Sequence, residues 1–230
     1  MNKYLPLLFT LITIFGNYYI PVLNKANVKD INNDKKFDAQ PAGWTFSIWG
    51  IIYFGLLFIS YKIVTDKLVW DKNLTSLFII SCIFNLLWMY SWTKNKRQIS
   101  QFLLVGIVIS LCYLWILNIK SKDNIVQNII MMYIAWTFGA SLLNIFIVNF
   151  KNSIQNSKLI IYLLSSLQII FKLLLHFKGN NIHKEQSIIF PLVGIWTGIG
   201  IAKNKSNKLG FVKYLLLITS ICMIPKIHIF

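Results

Sequence analysis

All seven acidic residues of this 230-residue chain (Asp30, Asp34, Asp38, Asp66, Asp71, Asp123 and Glu185) fall between long apolar runs, and none falls inside one. A carboxylate in the middle of a bilayer costs about 3 kcal/mol or more, so transmembrane helices exclude it unless function demands it. About 20 apolar residues at about 1.5 Å rise per residue cross the hydrocarbon layer. Runs of that kind occupy Tyr4–Leu23, Trp44–Val64, Leu74–Thr93, Gln101–Ile119, Asn128–Phe150 and Lys158–Phe177. Two shorter ones, Ile188–Ala202 and Gly210–Ile224, complete a set of about eight spans, either of which can be tilted, interfacial or re-entrant. At 56% hydrophobic, the chain exceeds the 45–50% or so of a soluble domain, and it lacks the period-2 alternation of a barrel. The expected fold is all-α, a polytopic transmembrane helical bundle. Residues 1–150 form a five-helix core, and residues 151–230 add about three helices.

A net charge of +16 would suggest nucleic acid in a soluble protein. Here the lysines and Arg97 lie almost entirely between spans, where they anchor helix ends and meet anionic lipid. Membrane lipids are therefore the expected partners, and nucleic acid is not. A modest excess of basic residues on the side of the odd-numbered loops favours both termini away from the cytoplasm. Ion coupling and intramembrane hydrolysis generally use a carboxylate at depth, and no span offers one. Cys82, Cys112 and Cys222 stand singly in apolar runs without metal-ligand spacing and read as small buried hydrophobes. His176, His183 and His228 are scattered, and of these His176 alone is placed to serve as an axial haem ligand. No cofactor is expected, and no nucleophile–base pairing can be read.

Aromatic and amide placement distinguishes three spans. Phe46, Trp49, Tyr53 and Leu56 share one helical stripe, entered through Pro41 and Gly43. Asn85, Trp88 and Trp92 follow at i, i+3 and i+7 on the third span. Tyr133, Trp136, Ala140 and Asn144 lie within about 100° of arc on the fifth, and Gly139, Ala140 and Ser141 allow close approach. A side-chain amide at membrane depth has to find a partner, so Asn85 points into the bundle, as interhelical glue or as a ligand contact. Trp115 and Asn118, at the far end of the fourth span, read as interface anchors. Lys172 can snorkel, Gly194 and Gly198 form a small-xxx-small pair, and the 20-residue loop Asn24–Gly43 is long enough to cover a site.

Three of these stretches, Pro41 with Trp49-Gly50-Ile51-Ile52-Tyr53, Asn85-Leu86-Leu87-Trp88, and Tyr133 to Asn144, resemble the TspO/MBR family of tryptophan-rich sensory or translocator proteins. They match its proline-rich entry with W-x-x-x-Y, its L-N-x-x-W and its Y-x-x-W-x-x-x-A-x-x-L-N. The resemblance covers about residues 1–150. Asp38 stands where the family has a Trp, and Phe146 and Phe150 stand where its sterol pattern has a Tyr. The resemblance implies a membrane protein, sensor- or carrier-like, that binds a tetrapyrrole, sterol or lipid-like molecule without turning it over.

On this reading Trp49, Tyr53, Asn85, Trp88, Trp136, Ala140 and Asn144 line one pocket among the second, third and fifth helices. A flat apolar molecule stacks on indole faces while amides fix its orientation. For any one aromatic, packing of the bundle is the alternative. The competing functions are a membrane enzyme acting on a lipid or porphyrin, a transporter without ion coupling, and a structural membrane subunit. Small-residue faces also allow a homodimer.

Overall fold

Two of the loop acids set where helices begin. The Asp71 carboxylate accepts a hydrogen bond from the Leu74 N–H at 2.8 Å, and the Asp123 carboxylate accepts one from the Val126 N–H at 3.2 Å. Each satisfies a backbone donor that the first turn of a helix leaves without a partner. Both helices therefore start a few residues earlier than hydropathy alone suggests.

The computed structural model describes residues 2–26, 37–118, 123–177, 186–203 and 207–224. In chain order it contains α1 (Leu5–Leu23) and a 3₁₀ turn (Gly43–Ser47) that runs into α2 (Ile48–Val64). Then come α3 (Lys72–Thr93), α4 (Arg97–Asn118), α5 (Asn124–Asn149), α6 (Ile154–Phe177) and α7 (Gln186–Ala202). A second 3₁₀ segment (Asn207–Tyr214) leads into α8 (Leu215–Met223). No strand is present among the described residues. The molecule is an integral, multi-pass membrane protein, an all-helical bundle. Six helices, α1 to α6, are long and apolar enough to cross a bilayer. Eight α-helices stand among the described residues, and the last two are the short ones, α7 with 17 residues and α8 with nine. Nine residues rise about 14 Å, roughly half of the hydrocarbon thickness.

α5 is the axis of the bundle. It packs against α2, α4, α6 and α7, and 56% of its apolar window is buried, against 17% for α1 at the rim. Lys62, in the last turn of α2, forms an ion pair with Asp123 at the start of α5. Lys3 and Asp66 close a second pair, at 2.5 Å, between the ends of α1 and α2. At that same end the structure departs from the interface reading of Trp115 and Asn118. Both side chains are buried, and Asn118 accepts a hydrogen bond from Trp70 Nε1 at 3.2 Å. The bond ties the segment between α2 and α3 to the last turn of α4, and an amide so partnered no longer needs the polar interface.

The acids behave as read wherever they are described: Asp38, Asp66, Asp71 and Asp123 all sit outside helices. Asp30, Asp34 and Glu185 lie outside the described residues. Of the cysteines, Cys82 is buried, Cys112 half-buried and Cys222 exposed, so the small-hydrophobe reading suits Cys82 best.

The C-terminal helices join the bundle through closeness of backbone. A Cβ added at Gly198 would sit 2.8 Å from the Leu217 backbone nitrogen on α8. Gly198→Ala must therefore push α7 and α8 apart, because backbone cannot turn aside as a side chain does. The expected outcome is a loss of about 1–3 kcal/mol, read as a lower midpoint of thermal unfolding in detergent. Gly50 has nothing within 4 Å of its added Cβ, so Gly50→Ala should leave that midpoint unchanged or raise it.

Candidate ligand-binding site

The indole of Trp49 is the hub of an aromatic box. It comes from the first turn of α2, and its position follows from the 3₁₀ turn that swings the chain in from Pro41. Trp49 stacks on Tyr53 of its own helix (centroids 5.6 Å) and on Trp88 of α3 (5.3 Å). It meets Tyr133 and Trp136 of α5 edge-on, at 5.8 and 6.3 Å. Phe46 also meets Trp136 edge-on, at 5.8 Å. Edge-to-face and offset contacts of this kind each add about 0.5–1.5 kcal/mol beyond burial, so the rings fix one another in place.

Beneath the box runs a polar network. Asn85 is fully buried on α3. Its carbonyl accepts from Asn17 Nδ2 of α1 at 2.6 Å and, more weakly, from the Tyr53 hydroxyl at 3.4 Å. Its amide NH₂ donates to the Tyr133 hydroxyl at 2.8 Å. One side chain thus joins α1, α2, α3 and α5.

Above the box, toward the Pro41 end of the molecule, opens a cavity of about 600 Å³. Five of the seven side chains expected from the sequence line it: Trp49, Trp88, Trp136, Ala140 and Asn144. Tyr53 and Asn85 stand outside its lining and are engaged with one another in the network below. The cavity also extends beyond the second, third and fifth helices. Leu104 of α4 forms part of the wall, and α6 and α7 supply the opposite side through residues such as Leu164, Gln168, Phe190 and Val193. Gly194 makes that wall possible, since a Cβ there would lie 1.8 Å from Gln168 Nε2. The described end of the first loop, Ala39 to Gly43, lines the mouth, and residues 27–36 lie outside the described residues.

Sequence reasoning passed over Asn17 and left Tyr133 out of the site. The argument that sent Asn85 inward, an amide at membrane depth needing a partner, applies equally to Asn17. Tyr133 was visible on the Trp136 stripe. Gln168 gave no periodic signal. It reads as one more polar residue on α6 until α8 brings Ser220 Oγ within 2.7 Å of its carbonyl.

Several polar atoms of the wall have no partner within the protein. These are Nε1 of Trp88, Nε1 of Trp136 and both amide atoms of Asn144. Their residues are only 8%, 5% and 2% exposed. Leaving such groups without a hydrogen bond costs about 1–3 kcal/mol each, and all three residues border the chamber. No cluster of three metal-ligating side chains occurs among the described residues, and the His176 side chain, His183 and His228 lie outside them.

A polytopic helical bundle with a tryptophan box at the entry of its second helix defines the class, an integral membrane protein. The sequence matches the family described as TSPO-like protein over residues 3–229, and the chain belongs to that family. The match runs on through α6, α7 and α8, the helices that build the far wall of the cavity. No curated protein and no solved structure matches the chain.

Replacing Asn85 by Leu would strand the Tyr133 hydroxyl and the Asn17 amide inside the bundle. Asn85→Leu should cost about 1–3 kcal/mol in denaturant unfolding of the detergent-solubilised protein, in line with buried groups that lose their partner. An unchanged unfolding curve would place the side chain outside the network.

Proposed function

We propose that this TSPO-like protein binds a hydrophobic, planar molecule, tetrapyrrole-, sterol- or lipid-like, in the chamber above Trp49, and acts as a sensor or carrier. The observation that carries the reading is the junction of Trp49, Trp88 and Trp136, from three separate helices, at the floor of a chamber of about 600 Å³. That volume falls within the usual range of small-molecule sites, about 300–1,000 Å³. Aromatic faces set at two inclinations offer a flat ring both stacking and edge contacts. The small residues Gly139 and Ala140 lie beside the same space, where a large side chain would obstruct a ring. Binding here needs no reacting group, and a sensor or carrier role requires only that occupancy alter the bundle or that the ligand leave again.

The test uses purified protein in nanodiscs and a panel of protoporphyrin IX, its dimethyl ester and a fluorescent sterol. At least one member should quench tryptophan fluorescence saturably, and Trp49→Leu combined with Trp136→Leu should weaken its binding by about tenfold or more, since two stacked indoles are removed. Quenching that never saturates, or that survives unchanged in the double variant, would refute the reading. Turnover of a panel member would move the assignment to an enzyme, and flux across vesicles to a transporter.

A further inference from the structure

This inference rests on the binding reading above and specifies the chemistry of the ligand. Among the described residues, the wall of the cavity contains no acid, lysine, arginine, histidine or cysteine. Its polarity comes from neutral groups, and those without a protein partner are unequal in kind. Trp88 and Trp136 each bring an N–H donor, while Asn144 brings an NH₂ and a single carbonyl. Donors prevail among these three side chains. A turn of the Asn144 side chain breaks no hydrogen bond, because neither of its amide atoms makes one. The two stations are separate: Trp136 and Asn144 lie eight residues apart on one face of α5, about 12 Å along its axis. Gly139, Ala140 and Leu143 form the wall between them.

We propose that this cavity selects uncharged lipophiles bearing carbonyl acceptors, and rejects carboxylic acids of the same ring size and shape. A carbonyl oxygen answers an unpaired N–H without bringing a charge. A carboxylate in the same place would lose its hydration in membrane interior with no cation in the described wall to compensate it. Ring lipophiles with ester or ketone oxygens toward their ends match both features, the aromatic floor and the donor groups set along α5. Selection on charge at equal shape is also what separates this proposal from general affinity for flat molecules.

The experiment compares three porphyrins on the wild-type protein in nanodiscs at neutral pH: protoporphyrin IX, its dimethyl ester, and the alkyl-only etioporphyrin. Each is corrected for its partition into empty nanodiscs. The ester should bind at least about tenfold more tightly than the diacid and several-fold more tightly than etioporphyrin. In Asn144→Leu, and independently in Trp88→Phe, the ratio of ester affinity to etioporphyrin affinity should shrink toward one. A diacid that binds as well as the ester overturns the proposal and leaves the binding reading standing. Saturable binding of ester and etioporphyrin with equal affinity also overturns it, by removing the role of the acceptor. Failure of all three porphyrins overturns the proposal, and the reading beneath it falls as well only if the fluorescent sterol also fails to bind saturably. The charge comparison needs no variant, so it stands even if a substitution prevents folding.

Discussion

One buried amide organises this bundle. In lipid the hydrophobic effect gives helices little reason to prefer one another over acyl chains, so packing and hydrogen bonds must hold them. α1 shows what that means. Its buried side chains are Pro6, Thr10 and Thr13, and its exposed face is large and apolar, the reverse of a helix in a soluble protein. It is fastened by Thr10 to Ser60 at 3.0 Å and by Asn17 to Asn85 at 2.6 Å. Asn85 in turn holds the Tyr133 hydroxyl, and both Tyr53 and Tyr133 touch the Trp49 ring. The polar contact that closes the bundle is thus also the support of the aromatic floor.

The cavity exists because two differently built halves meet. On one side, rings from α2, α3 and α5 brace each other. On the other, α6 and α7 approach closely through glycine, and α7 also holds the loop that enters α2. Trp196 Nε1 donates to the Thr45 carbonyl at 2.8 Å, and the Ala42 N–H donates to the Gly200 carbonyl at 3.1 Å. At Gly200 a Cβ would come within 2.2 Å of Thr45 Cγ2. α7, and α8 packed on it at Gly198, are thereby tied to the same turn that sets the position of Trp49. Their brevity suits packing against the bundle better than crossing a membrane alone.

Much of this was legible in order of residues. Confinement of acids to loops and the apolar runs between them predicted a helical membrane bundle, because the cost of a charge in hydrocarbon acts on any arrangement of the chain. The stripes of Trp49, Trp88 and Trp136 were readable for a similar reason: helical periodicity is local, and a ring at i with an amide at i−3 shares its face whatever lies opposite. Asn85 was rightly sent inward by its need for a partner. What could not be read was which partner it had, since Asn17, Tyr53 and Tyr133 come from three other helices. Trp115 and Asn118 failed in the same manner, for a residue near a helix end looks alike at an interface and in a buried junction, such as the one Asn118 makes with Trp70.

The sequence by itself determined that this chain lies in a membrane as helices, and which faces of three of them carry rings and amides. Those properties depend on transfer from water to lipid and on a 3.6-residue repeat, both of which operate residue by residue. The tertiary structure alone decided that Tyr53 and Asn85 belong to a supporting network while Trp88, Trp136 and Asn144 border a cavity. It alone also decided that α6 and α7 close the far side of that cavity. Such assignments turn on distances of a few ångströms between segments 32 to 151 residues apart, for which no local periodicity exists.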